Sequence, residues 1–257
     1  METTHTIPER EQRSLRRLNL AAAALHAFQA VVVVALATDF SLPVTASYLE
    51  GPPGTAPQDP VVLFDIATGL AVAGFLALSA VAHVLVSTVW WRGYLTDLSR
   101  HRNAARWVEY SLSASLMIVL IAQLVGISDI AALVALFGVN AAMILFGWLQ
   151  EKYEEPRGHG WLPFIFGCIA GVVPWLAIAI YLVSPGSASS AEPPGFVYGI
   201  FVSLFVFFNV FALNQWLQYR GRGRWADYLY GERAYIVLSL TAKSALAWQI
   251  FGGTLAA

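Results

Sequence analysis

The residue most suited to chemistry in this chain is a lysine in the middle of an apolar segment. Lys243 stands in Leu238-Ser-Leu-Thr-Ala-Lys-Ser-Ala-Leu-Ala247. With Tyr235 near the inner interface of a membrane helix, a rise of about 1.5 Å per residue puts Lys243 roughly 12 Å deep. A cation there costs at least ~2.5–3.5 kcal/mol on insertion scales, so such a residue is usually kept for a function. Desolvation favours the neutral amine, which attacks carbonyls. The segment therefore suits a Schiff base with a lipophilic aldehyde. The competing structural reading is a lysine that snorkels to the interface, and the depth is beyond comfortable reach for that.

A protonated Schiff base in lipid needs a counter-charge. Glu109 lies about five residues into its own span, roughly 7 Å from the inner end, and its helix runs in the same direction as the lysine's. An alternative partner for Glu109 is Arg106 at i−3, and Arg106 could also cap the cluster from the inner side. Further polar residues fall at the same depth: Ser113 at i+4 from Glu109, Ser239 at i−4 from Lys243, His26, His83 and Ser79. Two histidines at one depth beside a buried carboxylate suit a proton-accepting role; the bland alternative is a pair of hydrogen-bonded core residues. No third ligand has suitable spacing, so a metal site is not expected.

These residues require membrane helices to position them. Of 257 residues, 58% are hydrophobic and 12% charged, about half the charged share of a soluble domain. Seven segments are long enough to cross hydrocarbon, and an apolar span must be helical to pair its backbone in lipid. They are Leu18–Ala37, Val62–Trp90, Ala104–Gly126, Asp129–Leu149, Leu162–Ser184, Phe196–Gln218 and Ala234–Leu255. The expected fold is a single all-α membrane domain, a seven-helix bundle over residues 1–257. The first span is too long for a signal-peptide core, although Ala35-Leu36-Ala37 resembles a cleavage site. In the long connection Asp39–Pro60, Phe40–Leu49 carries β-branched and aromatic residues that could form a short hairpin. Ser184–Gly195 reads as plain connection.

Basic residues set the orientation. Arg10, Arg13, Arg16 and Arg17 precede the first span. Arg92, Arg100, Arg102 and Arg106 fall around the second connection, Lys152 and Arg157 in the fourth, and Arg220, Arg222, Arg224 and Arg233 in the sixth. All fifteen basic residues but Lys243 thus fall on one side, which predicts a cytoplasmic N-terminus and an extracellular C-terminus. Trp90, Trp91, Trp107, Trp148, Trp161, Trp216 and Trp225 are expected as an interfacial belt on that side. The net charge of −1 points to no nucleic-acid partner. The single cysteine, Cys168, excludes an intramolecular disulfide. Asp65 and Asp129 are expected at outer helix ends as interfacial or capping residues.

Several segments resemble the heliorhodopsins, the inverted-topology family of microbial rhodopsins. They are Arg106-Trp-Val-Glu-Tyr-Ser-Leu-Ser113, Leu136-Phe-Gly-Val-Asn-Ala141, Ile144-Leu-Phe-Gly-Trp-Leu-Gln-Glu-Lys-Tyr153, Pro194-Gly-Phe-Val-Tyr-Gly199, Gly231-Glu-Arg-Ala-Tyr-Ile-Val-Leu-Ser-Leu-Thr-Ala-Lys-Ser-Ala-Leu-Ala-Trp-Gln249 and the loop Gly51-Pro-Pro-Gly-Thr55. The resemblance runs from about Leu18 to Ala256. It implies all-trans retinal on Lys243, Glu109 as counterion, and His26 and His83 in a proton-accepting cluster on the cytoplasmic side. Ser239 would stand where ordinary rhodopsins carry a second carboxylate, and Leu120 where proton pumps carry one on the third span. Asn140, Met143, Ile144, Gly147, Trp175, Phe208 and Gln215 would line the pocket; core packing is the bland reading of each apolar member.

The resemblance further implies a homodimer in the plasma membrane with a slow photocycle, suited to signalling through an unidentified cytoplasmic effector. The basic loops could equally meet anionic lipid. No ionisable residue lies between Lys243 and the outer surface, which argues against a pump. The expected function is therefore a non-enzymatic retinal photoreceptor. A light-driven ion transporter or channel is the alternative, and a non-photoactive scaffold with a structural Lys243–Glu109 pair is the third reading.

Overall fold

The computed structural model describes residues 6–56, 58–183 and 193–255. Among them, seven helices are long and apolar enough to span a membrane. These are α1 (Glu9–Leu36), α2 (Thr68–Ser87), α4 (Ala104–Leu124), α5 (Ile130–Tyr153), α6 (Leu162–Val183), α7 (Gly195–Arg220) and α8 (Tyr228–Ile250), the last extended by a π turn over Phe251–Leu255. A short α3 (Trp91–Ser99) lies between α2 and α4. Two strands, β1 (Ser41–Ala46) and β2 (Val61–Ala67), lie between α1 and α2. Most of Ser184–Gly195, expected as plain connection, lies outside the described residues.

The helices pack α1 on α2 and α8, α4 on α2 and α5, α5 on α6, and α7 on α8. Helix α4 is the central one: 72% of its most apolar stretch is buried, against 17–44% for the others. Its buried Met117, Ile118, Leu120 and Ile121 meet Val72, Phe75 and Leu76 of α2 and Leu246 and Ile250 of α8 in the main core. The outward faces of the other spans carry exposed Ile169, Val172, Leu176 and Ile180 on α6 and Val202 and Val206 on α7. Water would not tolerate such a surface; hydrocarbon does.

Side-chain capping defines three helix starts, one of them that of α8, where Asp227 accepts from the Leu229 amide at 2.9 Å. Asp129 accepts from the amides of Ala131 (2.9 Å) and Ala132 (3.2 Å) at the head of α5, the capping role expected of it. Asn103 accepts from the Arg106 amide at the head of α4 (3.0 Å). Gly126, with φ of +95°, turns the chain just past α4 in a conformation that only glycine adopts cheaply.

Five expectations are corrected. The second span begins at Thr68, not Val62, because Val61–Ala67 is strand. That strand pairs antiparallel with Ser41–Ala46, Leu42 opposite Ile66 and Ala46 opposite Val61. The hairpin therefore joins both ends of the long connection rather than folding within Phe40–Leu49. Asp65 consequently sits in β2 opposite Pro43 instead of at a helix end. The first helix starts nine residues before Leu18, because Glu9–Arg17 continues its turns as a polar extension. Trp107 is buried rather than interfacial and donates to Glu151 at 2.6 Å.

Candidate functional site

Helices α8, α4 and α2 bring together the residues singled out by depth. Lys243 Nζ donates to Glu109 Oε1 at 2.7 Å and to Ser239 Oγ, one turn earlier on α8, at 3.0 Å. Ser79 of α2 donates to the same Glu109 oxygen at 2.6 Å. All four residues are buried. The Tyr110 ring lies 5.0 Å from Nζ and adds a cation–π contact. Tyr110 is itself held by donation to the Tyr235 carbonyl at 2.9 Å.

The arginine-rich side of this pair is polar. His26 on α1 and His83 on α2 stack with ring centroids 5.9 Å apart and planes 11° apart. His83 Nδ1 is 2.8 Å from Asn19 Oδ1. The nitrogens of His26 have no hydrogen-bond partner among the described residues. Nearer the helix ends, Arg106 does not pair with Glu109 at i−3. It reaches across the bundle to Glu232 of α8 and to Glu151 of α5, the latter at 2.6 Å. Tyr94 (3.1 Å) and Asn103 (2.8 Å) also donate to Glu232, and Trp107 (2.6 Å) and Tyr228 (2.9 Å) to Glu151. Sequence reasoning missed Glu151, Glu232, Asn19 and Tyr94. A signal was present for two of them. Glu232 precedes Lys243 by eleven residues, three helical turns, and Asn19 precedes His26 by seven, two turns, so each pair shares a face.

Beside Lys243, on the side away from α1 and α2, a cavity of about 490 Å³ opens between α4, α5, α6, α7 and α8. Of the expected lining, Lys243, Ser239, Ser113, Met143, Ile144, Gly147, Trp175, Phe208 and Gln215 border it. Asn140 is buried nearby and donates to Ser115 Oγ at 3.0 Å, but it does not line the space; nor do Glu109, Ser79, His26 and His83. Trp175 follows Pro174, which removes a backbone donor from α6. The Trp175 ring meets Phe201, Phe205 and Phe208 edge-on, at 5.3–5.7 Å. Gln215 is fixed by donation to the Gly147 carbonyl at 2.8 Å. Gly171 keeps the cavity open: a Cβ there would come within 2.7 Å of Met143 Sδ.

A buried lysine–carboxylate pair at one wall of an apolar cavity inside seven helices narrows the comparison to one kind of membrane protein. The heliorhodopsin family model matches residues 15–255. The chain belongs to the heliorhodopsin family. This heliorhodopsin is also similar in fold to two crystal structures from the Salpingoeca rosetta rhodopsin phosphodiesterase. Its transmembrane domain is 14% identical with a TM-score of 0.64, covering 98% of this chain and 90% of that one. The transmembrane domain with its linker region is 13% identical with a TM-score of 0.63, covering 93% and 70%. No curated protein matches the chain.

As a microbial rhodopsin and multi-pass membrane protein, this heliorhodopsin has a cavity that suits its family's retinal. The volume falls within the range of small-molecule sites. The walls are almost wholly aromatic and aliphatic, as a polyene requires, and the amine of Lys243 borders them.

Proposed function

We propose that the chain is a light-sensing retinal photoreceptor that moves no ion, with its N-terminus in the cytoplasm. The observation that carries this reading is the Lys243–Glu109 pair at 2.7 Å, placed between an apolar cavity on one side and polar groups on the other. Lys243 would hold all-trans retinal through Nζ, and the bound group would supply light-driven double-bond isomerisation.

The protein's own residues hold and move one proton. Glu109 stabilises the proton on Nζ, and donation from Ser79 keeps the carboxylate oriented and charged. Ser239 gives Nζ a second acceptor without a second negative charge. His26 and His83 are the groups able to take that proton when Nζ releases it. Trp175, Phe208 and Met143 confine the polyene and exclude water.

Retention of the proton follows from one-sided polarity. Helices α1 after His26, α2 before His83, α4 after Glu109 and α8 after Lys243 contain no Asp, Glu, Lys, Arg or His. The same holds for α5 before Glu151, for all of α6, and for α7 before Arg220. A transport path needs relays on both sides of the centre. The test is light-induced pH change in vesicles holding the retinal-loaded protein. No net proton movement is expected; an uncoupler-sensitive pH change would replace the sensor with the transporter.

A further inference from the structure

The arginine-rich network contains a chain of hydrogen bonds whose directions are forced. Asn19 is buried on α1. Its Nδ2 lies 3.0 Å from the Leu15 carbonyl and 3.3 Å from Tyr94 Oη. A backbone carbonyl can only accept, so the amide's NH₂ must be at that end. Tyr94 agrees independently. Its hydroxyl hydrogen goes to Glu232 Oε1 at 3.1 Å, which leaves its oxygen to accept from Asn19. The other end of the amide is therefore the oxygen, and it sits 2.8 Å from His83 Nδ1. An amide oxygen carries no hydrogen. The bond exists only if Nδ1 of His83 does.

We propose that Asn19 is a positioning residue that fixes His83 as the Nδ1–H tautomer, leaving Nε2 bare as the proton-accepting edge of the ring. A neutral imidazole has one donor and one acceptor nitrogen, so fixing the first assigns the second. The significance of the bare edge rests on the photoreceptor reading; the tautomer itself does not. Asn19 also ends the acceptor path. Its amide nitrogen holds its hydrogens at neutral pH, so the chain from His83 to Glu232 orients the ring without passing a proton onward.

The test is solid-state ¹⁵N NMR of the full chain in lipid, histidine-labelled, at neutral pH in the dark, with and without retinal. His83→Gln identifies the resonances among the five histidines. The wild type is expected to show Nδ1 protonated and Nε2 bare. Asn19→Leu removes the hydrogen bond to His83 and is expected to reduce the tautomer ratio about five- to tenfold. Tyr94→Phe leaves the Leu15 carbonyl to orient the amide, so the tautomer is expected to persist. An Nε2-protonated His83 in the wild type overturns the proposal, even if Asn19→Leu fails to fold. So does an unchanged ratio in a folded Asn19→Leu. Failure to form a pigment with retinal would overturn the photoreceptor reading, while the tautomer would still be read in the retinal-free protein.

Discussion

Lys243 of α8 and Glu109 of α4 meet at 2.7 Å although 134 residues separate them, and each is almost fully withdrawn from solvent. Neither charge is tolerable there alone. Together, with Ser79 and Ser239 taking up further hydrogen-bonding capacity, they form a compensated pair. The pair places the lysine nitrogen at the wall of an apolar cavity.

Glu109→Gln removes the negative charge beside that nitrogen. With retinal bound, the visible band is expected to move to longer wavelength, because positive charge on the nitrogen is no longer pinned in the ground state. On alkaline titration the band is expected to be lost earlier, by about 1–3 pH units. A spectrophotometric titration checks both; an unchanged spectrum and titration would remove Glu109 from the counterion role.

Gly171→Leu should fill the cavity from α6. Its side chain would displace Met143, whose sulfur already lies within 2.7 Å of where a Cβ would be. The expected result is a folded protein with retinal uptake reduced at least ~10-fold, the cost of an overpacked site being about 1–3 kcal/mol. Pigment yield on titration with retinal, compared with thermal unfolding of the retinal-free protein, separates blocked binding from misfolding.

Arg106 serves two buried carboxylates at once, Glu151 and Glu232. Arg106→Met leaves both uncompensated and is expected to destabilise the protein by about 3–5 kcal/mol. Glu232→Gln is expected to cost less. Tyr94 and Asn103 can still donate to the amide oxygen, and Arg106 keeps Glu151. Unfolding midpoints of the two variants in the same lipid or detergent should differ in that order.

Asp97, on the short α3 outside the spans, is half-buried. Burial pushes its carboxyl above the usual range, opposed by Arg100 and Arg102 and assisted by Glu151. A folded-state value above the unfolded one means the folded state binds more protons, so this group's contribution to stability falls as pH rises through that window. Asp97→Asn is therefore expected to raise the melting temperature at neutral pH, with the gain shrinking as pH falls through the raised folded-state value and gone below about pH 3.9, where the unfolded side chain is also protonated.

The spans and the two central residues were legible because lipid permits so few solutions. An apolar run must be a helix, and an ionisable residue inside one must find a partner. Val61–Ala67 was not legible as a strand. It is apolar and runs directly into α2, and a continuous apolar stretch has the same periodicity in either conformation. Local spacing offered Arg106 as an alternative partner for Glu109. The arginine's actual partners lie 45 and 126 residues away, and only packing brings them close. Asn140, expected on the pocket wall from the family resemblance, instead donates to Ser115.

The photoreceptor reading requires that Lys243 carry retinal in this cavity. The most direct measurement is the visible absorption spectrum of the purified protein after adding all-trans retinal, beside Lys243→Ala treated identically. A visible band is expected in the wild type, removed by hydroxylamine under illumination, and no such band in Lys243→Ala. The same band in both proteins, or in neither, would contradict that reading.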